Sequence, residues 1–250
     1  MNIDLSGKIA LVTGGAKGIG RKTSLQLSEA GATVIVNYQK SKDQAEAIRL
    51  EISKSGGTVE VIKADISTPS QVEALFEHIR NRYQRLDILV NNAGIIKDNL
   101  LLAMEISDWD KVHDVNLRGS FLCTRLAAEM MMFHHCGKII NIASVGAIRG
   151  GRGQTNYASA KGGLVAFTRA CAVELGGKGI QVNAVLPGMI DTQMSKRVRK
   201  RAGAKIMAGI PAARYGETDD VANLVVFLAS DRADYITGQA ICVDGGLSIA

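Results

Sequence analysis

Short apolar runs alternate with longer amphipathic stretches along the whole chain. The runs are rich in Val and Ile, and they predict buried parallel strands at 8–13, 33–38, 58–64, 87–90, 138–143, 179–186 and 239–243. The stretches between them repeat their apolar residues with a helical period, and they predict helices at 18–30, 42–55, 69–83, 107–133, from 155 onwards and at 219–229. Strands that alternate with helices are typical of an α/β protein with a parallel sheet.

The chain shows no internal linker, repeat or low-complexity tract, so its 250 residues predict a single domain with a substantial core. The cysteines at 123, 136, 171 and 242 lack C-x-x-C spacing, which favours reduced thiols and a cytoplasmic location. A secretory leader is not expected, and neither is a membrane span, because no apolar run approaches the ~18 residues that a span needs. His134, His135 and Cys136 are adjacent but have no further ligands at metal-binding spacing, so no metal is predicted.

A glycine-rich turn joins the first strand to the first helix. Gly14, Gly18 and Gly20 permit a tight turn and a close approach of the backbone to a ligand. The following helix presents its amino terminus, which attracts a diphosphate. This combination predicts a dinucleotide site, although similar turns also serve as plain connections.

The end of the second strand bears on the choice of cofactor. An acid there would bind the ribose 2′-hydroxyl of NAD, but the chain has Asn37, with Lys17, Lys40 and Lys42 close in sequence. Cations without a carboxylate favour a 2′-phosphate and therefore NADP. The alternative is a solvated loop with ordinary surface lysines.

Ser144 ends the fifth strand, and Tyr157 and Lys161 follow on a predicted helix. The i to i+4 spacing places the phenol and the ammonium on one helical face. A fixed positive charge nearby is expected to lower the tyrosine pKa, so that the tyrosine exchanges a proton with a carbonyl oxygen or an alcohol. Ser144 would hold the same oxygen. The alternative is a surface tyrosine beside a solvated lysine, with a serine that only forms a turn.

Asn116 interrupts the apolar sequence of the long helix predicted at 107–133, which Ser107 to Asp110 would open as a capping box. Asparagine is unfavourable inside a helix, so it either bonds a backbone group on a neighbouring turn or has a functional role.

A basic segment lies between Ser195 and Arg214, predicted as one or two short helices broken by Gly203 and Gly209. Its seven positive charges exceed the net charge of the whole chain, which is +6. These cations are Lys196, Arg197, Arg199, Lys200, Arg201, Lys205 and Arg214. The segment contains no acid, which indicates a local site for an anionic partner or, alternatively, a solvated helix face.

Taken together, these motifs resemble the short-chain dehydrogenase/reductase family. The matching pieces are T-G-G-A-K-G-I-G at 13–20, D-I at 65–66, N-N-A-G at 91–94, Asn116, Ser144, Y-A-S-A-K at 157–161 and P-G-M-I-D-T at 187–192. They occur in the family's order across almost the whole chain. The resemblance implies a single-domain, Rossmann-type doubly wound parallel sheet of seven strands, in the order 3-2-1-4-5-6-7, with a substrate-covering segment at about 190–214.

The resemblance also implies roles for residues of this chain. Tyr157 would be the proton donor or acceptor, Ser144 would orient the substrate oxygen, Lys161 would bind the nicotinamide ribose, and Asn116 would hold a water of a proton relay. The implied substrate residues are Ser144, Gln154 and Tyr157. The implied cofactor-binding residues are Gly14, Ala16, Lys17, Gly18, Ile19, Gly20, Asn37, Tyr38, Asp65, Ile66, Asn91, Ala93, Gly94, Tyr157, Lys161, Pro187, Gly188, Ile190 and Thr192.

Within this family the chain is most similar to the 3-oxoacyl-[acyl-carrier-protein] reductases, through residues 91–104, 153–163 and 234–239. The resemblance implies NADPH-dependent reduction of a 3-oxoacyl thioester, carried on acyl carrier protein or coenzyme A, by a homotetramer. It departs from those enzymes at His135 and Lys178, where they commonly carry carrier-docking arginines. The alternatives are another alcohol or ketone substrate, such as a sugar, polyol, steroid or quinone, and a non-catalytic nucleotide- or nucleic-acid-binding protein. The basic segment lacks interleaved aromatic residues, which argues against nucleic acid.

Overall fold

Seven parallel strands form one sheet in the order β3-β2-β1-β4-β5-β6-β7, which confirms the predicted topology. The computed structural model describes residues 3–250, except for the side chains of residues 202 and 205. The strands are β1 (Ile9–Val12), β2 (Thr33–Tyr38), β3 (Val59–Lys63), β4 (Ile88–Asn91), β5 (Gly137–Ile142), β6 (Ile180–Pro187) and β7 (Ala240–Val243). In the sheet's centre Leu11 of β1 pairs with Ile35 of β2 on one side and with Leu89 of β4 on the other.

Helices cover both faces of the sheet. They are α1 (Gly18–Glu29), α2 (Lys42–Lys54), α3 (Pro69–Tyr83), α4 (Ile106–His113), α5 (Gly119–His134), α6 (Gly146–Arg149), α7 (Thr155–Gly176), α8 (Lys196–Ala208) and α9 (Thr218–Ala229). None of the described helices is long and apolar enough to cross a membrane.

Two hydrophobic layers enclose the sheet because successive strand residues point to opposite faces. Ala10 and Val12 of β1 pack into the layer that contains α1, α2 and α9, whereas Ile9 and Leu11 pack into the layer that contains α3 and α5. Leu11 is fully buried. Its truncation to alanine would cost about 2–5 kcal/mol of folding free energy. The sheet is therefore a rigid platform for whatever its strand ends carry.

The long helix predicted at 107–133 is wrong in two respects. First, the capping box is not formed: Glu105 is the N-cap of α4, Ser107 already lies in its first turn, and in the described chain no side chain caps α4. Second, a wide π-type turn at Asp114–Arg118 separates α4 from α5. Such turns insert an extra residue into a helix, and they are frequent at functional sites. The turn contains Asn116, so the unfavourable residue coincides with the irregular backbone.

The basic segment differs from its prediction at Gly203, whereas the predicted break at Gly209 is confirmed. It forms the continuous helix α8, which runs through Gly203 and ends before Gly209. A single glycine costs only about 1 kcal/mol inside a helix. Here the carbonyl of Gly203 accepts a hydrogen bond of 3.0 Å from the hydroxyl of Tyr215, which ties the middle of α8 to the chain that follows it.

Candidate active site

A cavity of about 1600 Å³ opens at the carboxyl ends of the central strands. The strand order reverses between β1 and β4, and this switch point is where ligands of open α/β sheets bind. Most of the predicted site residues line the cavity, namely Gly14, Ala16, Lys17, Gly18, Ile19, Asn37, Tyr38, Asp65, Ile66, Ala93, Gly94, Ser144, Gln154, Tyr157, Lys161, Pro187, Gly188, Ile190 and Thr192. The other three, Gly20, Asn91 and Asn116, lie behind the lining residues.

The glycine-rich turn has the backbone geometry that its sequence predicts. Gly14 and Gly18 adopt positive φ angles of 60° and 52°, which other residues rarely tolerate. Gly20 serves packing instead, since a Cβ there would lie 2.3 Å from the Nδ2 atom of Asn92. Asn92 donates from Nδ2 to the carbonyls of Thr13 and Gly14, at 2.9 and 3.1 Å. The turn is thus fixed from behind, and the amino terminus of α1 faces the cavity.

The side chain of Asn37, at the end of β2, has a structural role that the sequence analysis did not predict. Asn37 is buried, and its carboxamide accepts a bond from the amide of Gly14 and donates one to the carbonyl of Ala64. Asn37 therefore braces the glycine turn against the end of β3, in addition to lining the cavity. The cations that line this end are Lys17, Arg21, Lys40 and Lys111. Arg21 and Lys111 were missed because no motif marks them, and Lys42, among the described residues, is not part of the lining.

Asp65 is the carboxylate at this end of the cavity. Burial raises its pKa, but hydrogen bonds from Ser67, the charge of Lys111 and a bond from Gln39 outweigh burial, so the net pKa is lowered. The Nε2 atom of Gln39 lies 2.5 Å from Oδ2 of Asp65. The carboxylate is therefore ionised and can accept hydrogen bonds from a ligand.

Asn91, which the family resemblance names among the cofactor-binding residues, is buried in the core. It is buried at the end of β4, where its Nδ2 atom donates to Thr124 of α5 and to Asn141 of β5, at 2.9 and 2.8 Å. Asn141 in turn donates to Thr168 of α7. These buried polar contacts join two helices to the sheet directly behind the cavity, so Asn91 acts on the site through the framework.

Ser144, Tyr157 and Lys161 meet at the inner end of the cavity. Lys161 is buried on α7, with its Nζ atom 5.9 Å from the centre of the Tyr157 ring. The same Nζ donates a hydrogen bond of 2.6 Å to the carbonyl of Ile142, the last residue of β5. The Ser144 hydroxyl accepts a bond from the amide of Gly146 and is hydrogen-bonded to the Tyr157 hydroxyl. The predicted trio is thus brought together.

The expected lowering of the tyrosine pKa by Lys161 is wrong for this structure. Burial raises the pKa of Tyr157, only partly opposed by the hydrogen bond with Ser144, and the charge of Asp98 raises it further. Burial also lowers the pKa of Lys161 from 10.5 to about 8. Spacing on a helix predicts proximity, but the removal of both groups from water dominates their ionisation. The phenol is consequently protonated at neutral pH.

The presence of Asn116 inside a helical stretch is explained by its hydrogen bonds with Ile95, a loop residue. Its Oδ1 atom accepts from the amide of Ile95 at 2.8 Å, and its Nδ2 atom donates to the carbonyl of the same residue at 2.9 Å. A Cβ added to Gly94 would lie 3.2 Å from this Oδ1 and 3.6 Å from Nζ of Lys161, so the backbone at Gly94 lies between the two side chains. The residue therefore shapes the cavity wall next to Lys161.

The substrate half of the cavity combines predicted residues with a contact from the end of the chain that the sequence motifs do not mark. Gln154 lies within 3.4 Å of the Asp98 carboxylate. Arg149 donates to the carbonyls of Leu247 and Ala250, and it thereby brings Leu247 of the chain's last residues to the cavity. Apolar side chains complete this half, including Met189, Met194, Val198, Ile206 and Leu247. Val198 and Ile206 belong to α8, which therefore covers part of the cavity.

Comparison with known proteins adds a family match and several close relatives. The family model described as "Enoyl-(Acyl carrier protein) reductase" matches residues 14–248. A 3-oxoacyl-[acyl-carrier-protein] reductase of Synechocystis is 43% identical over 97% of this chain and 98% of its own length. The corresponding reductase of Staphylococcus aureus is 45% identical over 96% of this chain and 98% of its own length.

A solved structure extends the comparison to the cofactor. A Beutenbergia cavernae protein, described as an NAD(P)-dependent gluconate 5-dehydrogenase with bound NADP at low occupancy, superposes with a TM-score of 0.95. It is 35% identical to this chain, and the match covers 100% of both chains.

Proposed function

The chain belongs to the short-chain dehydrogenase/reductase family, and from that premise we propose that it reduces 3-oxoacyl thioesters to 3-hydroxyacyl thioesters with NADPH. The observation that carries the proposal is a continuous cavity. It joins the glycine turn, at one end, to Ser144, Tyr157 and Lys161 and then to an apolar compartment at the other. A nucleotide and an acyl substrate placed there would meet at Tyr157. The activity named for the relatives from Synechocystis and S. aureus agrees with this arrangement.

The residues present fit NADP. The glycine turn leaves room beside the amino terminus of α1, where a Cβ at Gly18 would meet no atom closer than 3.6 Å. Lys17, Arg21 and Lys40 line the cavity near the end of β2, and these cations suit a 2′-phosphate. Asp65 and Ile66 would hold the adenine end, and Ile190 and Thr192 the carboxamide end. The NADP bound by the B. cavernae protein supports the same choice.

The proposed chemistry assigns one proton transfer to this chain. When bound, NADPH supplies the hydride that the C3 carbonyl carbon gains. Ser144 donates a hydrogen bond to the carbonyl oxygen and keeps it next to the Tyr157 hydroxyl. Tyr157, protonated at neutral pH, gives its proton to that oxygen, so the ketone becomes an alcohol and a phenolate remains. The ammonium of Lys161 stabilises this phenolate. Asn116 holds Ile95 in the cavity wall beside Lys161.

Three further expectations accompany this function. Residues 1–250 act as one reductase domain in which the segment at about 190–214 covers the substrate, as the position of α8 supports. A homotetramer and a cytoplasmic location remain predictions. Sedimentation analysis of the purified protein tests the first of these two, and fractionation of cells tests the second.

The decisive experiment follows NADPH absorbance with acetoacetyl-coenzyme A, a 3-oxoacyl carrier protein and simple ketones. NADH runs in parallel, and gluconate oxidation with NADP is measured separately. We expect turnover of both thioesters and a strong preference for NADPH. Gluconate oxidation without turnover of any thioester would overturn the proposal. The Tyr157→Phe variant is the control that ties turnover to the cavity.

A further inference from the structure

Helix α8 has two faces of opposite character. Val198 and Ile206 line the cavity, whereas Lys196, Arg197, Lys200 and Arg201 are exposed. Lys196 and Lys200, like Arg197 and Arg201, are spaced i to i+4, so the four cations form two adjacent rows on one side of the helix. We call these four residues the basic strip. Arg197 and Arg201 lie on the outer side of the helix, whereas Lys196 and Lys200 also border a smaller recess with Gly18 and Thr192.

The basic strip differs from the other cations of its segment. Arg199 forms an ion pair with Asp191 and lies over the ring of Tyr215, and Arg214 is paired with Asp220. For the four residues of the strip, by contrast, the described part of the chain offers no ion-pair partner. The segment from 195 to 214 contains no acid. Four uncompensated charges within about 8 Å of helix create a local positive field that attracts an anionic surface.

The two positions at which the family resemblance implies carrier-docking residues lie elsewhere. His135 and Lys178 precede β5 and β6, at the amino ends of these strands. A Cβ at Gly179 would lie 2.2 Å from the carbonyl oxygen of His135, so the two positions are neighbours. Because parallel strands share one direction, this edge of the sheet is opposite the edge that holds Ser144 and Tyr157. Within one chain, the basic strip is therefore on the same side of the sheet as the cavity, and His135 and Lys178 are not.

We propose that the basic strip of α8 docks an acidic acyl carrier protein and so delivers the thioester to the cavity beneath the helix. This inference rests on the proposed function and names the partner of the same site. A protein partner is favoured over coenzyme A because Arg197 and Arg201, one row of the strip, line neither the cavity nor the recess. A nucleotide bound with its acyl chain in the cavity would meet the inner face of α8 or the two lysines at the recess, whereas a protein can also cover the two arginines.

The test compares matched double variants. In Arg197→Gln with Arg201→Gln, two charges of the strip are removed and helix propensity is nearly kept. In the control, Lys54→Gln with Arg82→Gln, two exposed helical charges of α2 and α3 are removed. For each protein, kcat/KM is measured with a 3-oxoacyl carrier protein, acetoacetyl-coenzyme A and the uncharged N-acetylcysteamine thioester. Binding of the carrier protein alone is measured by calorimetry.

We expect kcat/KM with the carrier substrate to fall about tenfold in the strip variant at low salt, and the difference from native to shrink as salt rises. Carrier binding should weaken in parallel, while the N-acetylcysteamine thioester and the control variant stay unchanged. Equal losses with the uncharged thioester would show a structural effect and overturn the proposal. Equal losses with acetoacetyl-coenzyme A would assign the strip to nucleotide phosphates and also overturn it.

A third variant separates the two docking positions. If Lys178→Gln weakens carrier binding and the strip variant does not, the carrier docks at the opposite edge of the sheet and the proposal is wrong. The calorimetric measurement does not depend on turnover, so it decides the docking question even if the protein reduces none of the thioesters. Failure of the proposed reaction and failure of the docking proposal are thus distinguishable.

Discussion

Lys161 and the basic strip of α8 both lie close to the cavity, but they differ in their surroundings. Lys161 is buried and bonded to a backbone carbonyl, and its pKa falls to about 8 because it has lost its water. The basic strip of α8 is exposed. Burial gives a charge short-range, chemically specific effects at a high cost in folding free energy, whereas exposure keeps it inexpensive and effective at longer range. The inner cation should therefore govern the chemical step, and the outer cations should govern encounter with the partner.

The largest effect is expected at the tyrosine beside Lys161. Tyr157→Phe removes the proton donor and should lower kcat by about 10²–10⁴-fold, the range typical of general acid catalysis. The affinity for NADPH, measured by fluorescence titration, should be nearly unchanged. A variant that keeps a near-native kcat would show that the proton comes from another group.

The second-largest loss of kcat is expected when Lys161 is replaced. Lys161→Met removes the charge that stabilises the phenolate and should lower kcat by about 10²–10³-fold. In the native enzyme the rate of reduction should also decline as pH rises through about 8, where Lys161 loses its proton. A pH profile of the variant should lack this decline. The same alkaline decline in both proteins would assign it to a different group.

The buried lysine also makes folding stability depend on pH. Its pKa is lower in the folded protein than the 10.5 of the free side chain, so between about pH 8 and 10.5 the unfolded chain binds a proton that the folded chain does not. The free energy of unfolding should therefore rise with pH in this window, by about 3 kcal/mol in total. Urea unfolding of native protein and of Lys161→Met measures the difference, and parallel curves would contradict the burial effect.

Replacing Asn116 tests how the buried surroundings of Lys161 tolerate the loss of one side chain. Asn116→Ala leaves the amide and carbonyl of Ile95 without their partners and should lower the free energy of unfolding by about 1–3 kcal/mol. Urea midpoints measure this loss, and kcat should fall as well because the wall beside Lys161 loosens. A variant with native stability would mean that water replaces the carboxamide.

The smallest change in folding stability is expected when the basic strip is altered. Arg197→Gln with Arg201→Gln alters two exposed residues of α8 and should change the free energy of unfolding by less than about 0.5 kcal/mol. Urea unfolding beside the Asn116→Ala variant makes the comparison direct. A large destabilisation by the strip variant would erase the distinction between the two regions.

Local patterns predicted the framework well because each strand is a short apolar run and each helix has a clear period. Pro69 and Tyr83, for example, bound α3 as predicted. Local patterns failed where a distant contact decided the backbone. The π-type turn at Asp114–Arg118 accompanies the bonds from Asn116 to Ile95, which is 21 residues away.

The candidate site residues divide in the same way. Gly14, Ser144, Tyr157 and Lys161 could be identified by type and spacing, since each belongs to a motif read along one segment. Arg149 and Leu247 could not be identified, because their contact joins α6 to the last residues of the chain. Asn91 was assigned to the cofactor from its motif, but the three-dimensional structure places it among Thr124 and Asn141 in the core.

The order of residues by itself determined the parallel sheet, the glycine turn and the tyrosine–lysine pair, because hydrophobic period and helical spacing are properties of neighbouring residues. Tertiary structure alone decided the protonation of that pair, since a pKa depends on how much water remains around a group. It also decided which side of α8 meets the cavity and which side meets solvent, because that depends on residues far away in the chain.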